Sequence, residues 1–291
     1  MQNLRGIIFM LLAMAGFAVE DSLIKVLSAH FPISQILLIL GFGGMVTFVA
    51  IALVQGHRLF TPKLLSWPFL IRFFSDMFAA LFFISAIALI PLSTASTILQ
   101  AVPIIVTMGA ALFLGQMVGW RRWTAIIAGF IGVLIVIRPG FDGFEPASIL
   151  ALLGVVFLAV RDLATRVMAP DLSTITVSAY AFLAMALAGV IALPFFAPLQ
   201  QPDAVEWGMF LCTVILGGLA YVAVVIATRT GDIGAIAPFR YSRLIFAIII
   251  AVIFLGERPD MPTMIGASVI VASGVYAFWR ERLRAAMETP A

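Results

Sequence analysis

Long apolar runs, separated by short polar or turn-forming segments, recur along the whole chain. Ten of them reach spanning length, at residues 4–28, 33–54, 66–90, 93–114, 122–138, 147–169, 174–195, 207–228, 233–255 and 261–280. A helix that crosses a bilayer requires about 20 mainly apolar residues. The runs are too long and too uniformly apolar for the alternating strands of an outer-membrane barrel. The pattern therefore predicts an all-α membrane protein with ten transmembrane helices.

The composition excludes a soluble protein. Of the 291 residues, 63% are hydrophobic and only 11% are charged, whereas soluble domains carry about 25% charged residues. Ten helices leave only short connections, so the lipid bilayer is expected to surround almost the whole chain. The net charge of +3 comes mostly from basic residues that close apolar runs, where such residues set membrane orientation. Nucleic-acid binding is therefore not expected.

The distribution of basic residues predicts the side of the membrane that each loop faces. With the N-terminus inside, only Arg138 and Arg258 of the 17 Lys and Arg residues fall on the outer side. Because basic loops stay in the cytoplasm, we expect a multi-pass protein of a bacterial inner membrane with both termini cytoplasmic. A signal peptide cleaved after residues 13–15 is the disfavoured alternative, since the apolar run continues past this point.

Two pairs of similar segments indicate an internal repeat. Residues 18–25 resemble 159–166, and residues 111–116 resemble 252–257, both at an offset of 141 residues. Each half then holds five helices, and because five is odd, the second half enters the membrane in the opposite orientation. The sequence thus predicts two inverted five-helix repeats, residues 1–140 and 141–291, around a central cavity. Many secondary transporters have this architecture.

Sequence signatures of catalysis and nucleotide binding are absent. The sequence contains no P-loop and no Gly-x-Ser-x-Gly motif. Its only lysines are Lys25 and Lys63. His30 and His57 fall on opposite sides of the membrane in the predicted topology, so they cannot share a metal ion. We therefore expect no cofactor, no metal, no ATP and no enzymatic activity.

Charged residues at mid-membrane depth are the candidates for function. Those near the centres of their spans are Glu20, Asp76, Arg161, Asp162, Arg240 and Arg243. A charge at this depth costs at least about 2.5–3.5 kcal/mol, so such residues face a bundle interior or a wet cavity. Three pairs at i, i+4 spacing support a structural interpretation as ion pairs: Asp21–Lys25, Arg72–Asp76 and Asp162–Arg166.

The couple formed by Arg240 and Arg243 favours a functional interpretation instead. Two guanidinium groups three residues apart on one helical face repel each other and require an anion from another helix or from a ligand. Glu20 could supply one carboxylate, which leaves a net positive centre suited to a substrate carboxylate. The uncharged groups that suit the same cavity are Ser96, Gln100 and Tyr241, and Gln100 occupies the repeat position of Tyr241.

The pattern as a whole resembles the drug/metabolite transporter superfamily and, within it, the ten-helix EamA-type exporters. The resemblance covers the whole chain and includes the run from Ala237 to Arg243, followed by Phe254-Leu255-Gly256-Glu257. The first repeat departs from it at Gln116, where an acidic residue is usual. The resemblance implies that helices 1, 3, 4, 6, 8 and 9 surround a central cavity, with helices 5 and 10 at one side. Family members move amino acids, other small metabolites, nucleotide sugars and drugs.

These observations predict a secondary transporter that exports amino acids or similar small polar metabolites by alternating access. The predicted substrate-binding residues are Glu20, Asp76, Ser96, Gln100, Arg161, Asp162, Arg240, Tyr241 and Arg243. Two alternatives stay open: uptake of a cationic metabolite such as S-adenosylmethionine, and a non-transporting receptor or assembly subunit. Coupling to protons or to a counter-substrate is compatible with the sequence, as is a monomer or a weak dimer.

Overall fold

The fold is helical throughout the part of the chain that the computed structural model describes, residues 2–116, 119–169, 172–230 and 236–288. In chain order the helices are α1 (Gln2–Leu27), α2 (Ile33–Val54), α3 (Trp67–Leu89), α4 (Leu92–Leu99), α5 (Val102–Phe113), α6 (Trp120–Ile137), α7 (Ser148–Arg166), α8 (Thr174–Ala192), α9 (Ala204–Thr230), α10 (Ser242–Phe254) and α11 (Met261–Glu288). Short 3₁₀ segments occupy Pro62–Leu65, Leu193–Phe195 and Ala237–Tyr241.

Ten helical segments in the described residues are long and apolar enough to cross a membrane. The helices α4 and α5 together form the fourth span, Leu92–Phe113, and the ninth span, Ala237–Phe254, joins a 3₁₀ turn to α10. The prediction of an all-α membrane protein with ten spans is confirmed. The first residues of the predicted ninth span, 233–235, lie outside the described residues.

The chain forms two compact units that differ from the two sequence halves. Unit 1 comprises residues 1–22, 90–148 and 219–291, and unit 2 comprises residues 23–89 and 149–218. Each unit therefore contains helices from both predicted repeats. A sequence repeat states which segments are related, whereas the compact units show which helices pack together. The repeat boundaries, 1–140 and 141–291, and the inverted orientation of the second repeat therefore stay predictions.

In unit 2, α2 packs closely against α8. Gly41 lies against the backbone of Ala186, and Gly189 lies against Leu38, so the two helices run antiparallel. A Cβ atom added to Gly41 would lie 2.7 Å from the Cα of Ala186. Small residues allow such close approach between membrane helices, where lipid gives no hydrophobic drive for association.

In unit 1, α6 and α11 form a second antiparallel pair with glycine at the contact. Gly132 lies against Ile270 and Gly266, while Gly129 lies against Ser273. The paired helices begin 141 residues apart in both units, at Ile33 and Thr174 in one and at Trp120 and Met261 in the other. The two closely packed helix pairs thus each consist of helices at equivalent positions of the predicted sequence repeat.

Two spans of unit 1 are interrupted at equivalent repeat positions. The fourth span breaks at Gln100, between α4 and α5, and the ninth changes from 3₁₀ to α-helix after Tyr241, which is 141 residues further on. Pro103 and Pro238 lie beside these breaks, and proline removes a backbone donor from a helix. Within a membrane, such freed backbone groups are tolerated only where protein or water satisfies them.

Candidate functional site

An ion pair between α1 and α10 forms the core of a charge cluster in unit 1. The Arg243 guanidinium donates to Oδ2 of Asp21 through Nη2 at 2.6 Å and through Nε at 3.1 Å. Asp21 is 4% exposed. The same guanidinium lies over the ring of Phe17, 5.0 Å from its centroid, which adds a cation–π contact at a desolvated site. The anion that pairs with Arg243 within this unit is therefore Asp21, a residue outside the predicted site.

Glu20 adds a second carboxylate beside this ion pair. It is half-buried and lies within electrostatic reach of both Asp21 and Arg243. Among the described residues of unit 1, no side chain or backbone group donates a hydrogen bond to its carboxylate. The unit 1 charge cluster, defined here as Phe17, Glu20, Asp21 and Arg243, thus contains two carboxylates and one guanidinium.

Arg240 and Arg243 differ in their position and in their partners. Arg240 lies in the 3₁₀ turn Ala237–Tyr241, whereas Arg243 lies in the first turn of α10. Arg240 is exposed, and no carboxylate of the described residues pairs with it. Within unit 1, Arg243 is thus paired with Asp21, while the assignment of both arginines to a substrate carboxylate stays a prediction.

Unit 2 contains a separate and electrically balanced charge cluster. Asp76 on α3 lies between two arginines, with 3.6 Å to Nε of Arg72 and 3.6 Å to Nη1 of Arg161. Arg161 also donates to Oδ1 of Asp162 through Nη2 at 2.8 Å and through Nε at 2.9 Å. Arg72 donates to the hydroxyl of Thr165. We call these five residues the unit 2 charge cluster.

The unit 2 charge cluster partly agrees with the predicted ion pairs. Arg72 and Asp76 interact at i, i+4 spacing, as expected. Arg161 lacked a predicted partner, yet it bridges Asp76 and Asp162. Asp162 accepts hydrogen bonds from its neighbour Arg161, although the sequence pattern predicted a pair with Arg166. Bonds to the adjacent residue are invisible to a helical-spacing argument, which considers only residues on one face.

The uncharged site candidates are buried in unit 1. Nε2 of Gln100 donates to the carbonyl of Ser96 at 3.5 Å, and the Ser96 hydroxyl has no hydrogen-bond partner among the described residues. Tyr241 is 3% exposed and packs its ring against Phe278, and its hydroxyl lies over Gly274 on α11. The ring and the hydroxyl of Tyr241 therefore both contact α11.

The acidic end of the Leu255-Gly256-Glu257 motif has a definite structural role. Its carboxylate accepts hydrogen bonds from the backbone N–H of Leu92 at 2.6 Å, from the N–H of Ser93 at 3.0 Å and from the Ser93 hydroxyl at 2.7 Å. Glu257 thus caps the N-terminus of α4, where unpaired N–H groups and the helix dipole favour an anion. The motif was recognised from sequence, but the helix that it caps was not.

Ten apolar helices with buried charges at membrane depth define a polytopic membrane protein with the features of a transporter. The chain belongs to the EamA-like transporter family, whose sequence profile matches residues 4–138 and 146–279. The resemblance to the drug/metabolite transporter superfamily is confirmed, and the protein is a membrane transporter and not an enzyme.

Individual relatives carry different names. The chain is 26% identical to the S-adenosylmethionine uptake transporter of Rickettsia bellii over 67% of each chain. It is 26% identical to the riboflavin transporter of Vibrio cholerae, over 94% of this chain and 92% of that protein. It is also 26% identical to the pseudopaline exporter CntI of Pseudomonas aeruginosa, over 92% of this chain and 94% of that protein.

The fold has a counterpart among solved structures. A crystal structure with 18% sequence identity matches with a TM-score of 0.63 and covers 99% of both chains. This similarity concerns the arrangement of helices along the complete chain.

Proposed function

We propose that this transporter exports amino acids or similar small polar metabolites across a bacterial inner membrane by alternating access. The observation that carries the proposal is the unit 1 charge cluster, in which Glu20 adds a carboxylate beside the Asp21–Arg243 pair. A charged group at membrane depth faces the bundle interior or an aqueous path and marks a substrate or ion pathway. An uncompensated carboxylate there requires a cation, and the ammonium group of an amino acid supplies one.

The same cluster offers a partner for the carboxylate of the substrate. Arg243 uses Nε and Nη2 on Asp21, and a guanidinium has five N–H donors in total. A substrate carboxylate binds to the remaining donors in a charge-assisted hydrogen bond. We propose that Glu20 takes the ammonium group and Arg243 the carboxylate. Further candidates for substrate binding are the polar groups of Ser96 and Gln100, the exposed Arg240, the Tyr241 hydroxyl and the unit 2 charge cluster.

Uptake of a cationic metabolite such as S-adenosylmethionine is the second candidate function. The surplus carboxylate of the unit 1 charge cluster favours it, because a cationic substrate would neutralise Glu20 without displacing Asp21 from Arg243. The name of the Rickettsia bellii relative points to the same substrate. We propose export as the direction of transport because the chain resembles EamA-type exporters and because the Pseudomonas aeruginosa relative is named an exporter. In the absence of an ATP motif in the sequence, the energy would come from a gradient of the substrate, of protons or of a counter-substrate.

Counterflow in proteoliposomes tests the proposal. Purified protein is reconstituted, and a panel of radiolabelled amino acids together with S-adenosylmethionine is offered at equal concentration. We expect saturable counterflow of at least one amino acid. In Glu20→Gln we expect its apparent affinity to fall about 30- to 3,000-fold, as for loss of one partner of a buried charge pair. Asp142→Asn, an exposed acidic residue of a loop, is the control and should behave as the parent protein does.

Each result has a separate meaning. Counterflow of S-adenosylmethionine alone would select the second candidate function. An unchanged apparent affinity in folded Glu20→Gln would contradict the assignment of the ammonium site. A folded parent protein that moves no solute of the panel would contradict the proposed substrate class. An inside-out vesicle assay with and without a pH gradient then establishes direction and coupling.

A further inference from the structure

Unit 1 contains a polar pocket whose lining includes no residue of the unit 1 charge cluster. It has a volume of about 190 Å³ and is lined by residues from the start of the fourth span, the end of the fifth span with the loop that follows, and the junction of the ninth and tenth spans. Because successive spans alternate in direction, these segments meet at one face of the membrane. In the predicted topology this is the outer face. We call it the end pocket.

The wall of the end pocket is built around Arg138. This residue ends α6 in the left-handed conformation with φ of 53°, and no other non-glycine residue of the described chain has a positive φ. Such backbone strain is concentrated at functional sites. Nη2 of Arg138 donates to Asp260 at 2.6 Å. Gly143 leaves room for the guanidinium, since a Cβ atom there would lie 3.1 Å from Nη1. The Arg138 Nε is buried and has no hydrogen-bond partner among the described residues.

Two carboxylates of the end pocket are already committed. Glu257 accepts three hydrogen bonds from Leu92 and Ser93. Asp260 accepts from the N–H of Thr263 and from Arg138. These bonds hold the wall in place and leave neither group for a cation. No group of His, Cys, Asp and Glu among the described residues is arranged to hold a metal ion. An organic ligand is therefore the better match.

The remaining groups of the end pocket have opposite charges. The lining residues Glu145 and Arg258 are exposed, and neither side chain has a hydrogen bond within the described residues. Arg258 therefore offers free N–H donors for an anion and Glu145 a free acceptor for a cation, and the guanidinium of Arg138 adds positive charge to the same wall. A ligand that satisfies both carries a carboxylate and an ammonium group, and the volume limits it to a small molecule.

We propose that the end pocket is a second binding site for a small zwitterionic α-amino acid, separate from the unit 1 charge cluster. Arg138 and Arg258 bind the carboxylate, and Glu145 binds the ammonium group. The proposal rests on the proposed function, since it assigns to the end pocket the same class of substrate. In the predicted topology, the site holds the substrate at the outer face, where an exporter releases it.

Protection of an introduced cysteine tests the end pocket directly. Thr94, which lines the end pocket, is replaced by cysteine in a Cys212→Ser background, which removes the one native cysteine. The rate at which a maleimide labels Thr94→Cys is then measured at increasing concentrations of L-alanine. We expect L-alanine to slow the labelling, whereas acetate or methylamine at the same concentration leaves it unchanged. Glu145→Gln should raise the half-protecting concentration about tenfold or more, as expected for loss of a hydrogen bond to a charged group. Glu145 is exposed, so this variant should fold.

Two controls separate this proposal from the proposed function. Asp142→Asn removes a charge three residues away in the same loop, from a residue that is not part of the end pocket, and should leave protection unchanged. Glu20→Gln alters the unit 1 charge cluster and should also leave protection unchanged. If L-alanine is transported but gives no protection, the end pocket is not a substrate site and the proposed function stands. If protection depends on Glu145 in a protein that transports no amino acid, the end pocket stands and the proposed function is wrong. Equal protection by acetate would overturn the zwitterion assignment.

Discussion

At the scale of single residues, the partner of a buried charge depends on its helical face. Glu20 and Asp21 are adjacent on α1, and consecutive residues of an α-helix point about 100° apart. Only one of the two carboxylates can therefore face Arg243 closely, and in unit 1 this is Asp21. The other is left as the uncompensated group on which the proposed function depends.

Asp260 shows how a single carboxylate links stability to pH. Burial acts to raise the pKa of the Asp260 carboxyl, but hydrogen bonds from Thr263 and Arg138, together with the charge of Arg138, outweigh this effect and hold the pKa below its ordinary value. A lowered pKa in the folded state contributes stability above the unfolded-state pKa, and this contribution is lost as the pH falls through the folded-state pKa. The ion pair between Arg138 and Asp260 at the start of α11 therefore contributes to stability only while the Asp260 carboxyl is ionised.

We predict that Asp260→Asn lowers the thermal unfolding temperature at neutral pH. The difference from the parent protein should shrink as the pH falls below the ordinary carboxyl pKa and through the lowered pKa of the folded state, because Asp260 is then protonated in both states. Thermal unfolding of the two detergent-solubilised proteins across this pH range measures the effect. A difference that stays constant down to the lowest pH would show that the ionised carboxylate does not contribute.

At the scale of secondary structure, glycine determines how closely the paired helices approach. The contacts of Gly41 with Ala186 and of Gly132 with Gly266 bring backbone against backbone. Apolar composition predicted the helices themselves, since a bilayer leaves helix as the conformation that satisfies every backbone group of a single span. Which glycines face another helix and which face lipid was not predictable from composition.

We predict that Gly41→Ala destabilises the protein by about 1–3 kcal/mol, as overpacking of a close contact does. The matched control is Gly208→Ala in α9, where an added Cβ has no atom within 4 Å. There the substitution should be neutral or stabilising by about 0.5–1 kcal/mol, because alanine is the better helix former. Thermal unfolding in one detergent compares the two variants, and equal destabilisation would contradict the packing of α2 on α8.

At the scale of the whole molecule, each compact unit combines helices from both halves of the sequence. This arrangement gives each predicted repeat a share in both units. It also explains why the strongest contacts of α2 and α6 are with helices that begin 141 residues later. The division into two units results from helix packing, and it could not be predicted from hydropathy or from the repeat offset.

The membrane topology is a prediction at this scale. In a Cys212→Ser background, Gln201→Cys between the seventh and eighth spans and Arg284→Cys at the end of α11 should react with an impermeant thiol reagent from opposite sides of intact cells. The expected accessible position is Gln201→Cys, because the basic residues place both termini in the cytoplasm. Labelling of both positions from one side would contradict the topology.

The sequence by itself determined the ten spans, the class of membrane transporter and the absence of an ATP-binding motif. It could do so because membrane insertion depends on the apolar content of each segment, which is a local property. It also located most of the buried charges, since a charge within an apolar run is conspicuous.

Only the tertiary structure decided how these charges are used. It paired Arg243 with Asp21 in unit 1, joined Arg161 to Asp76 in unit 2, exposed Arg240 and turned Tyr241 toward α11. It also brought Arg138, Glu145 and Arg258 to one pocket. The physical reason is that a charge pair depends on the rotation and depth of two helices, and both are set by packing between segments that are far apart in sequence.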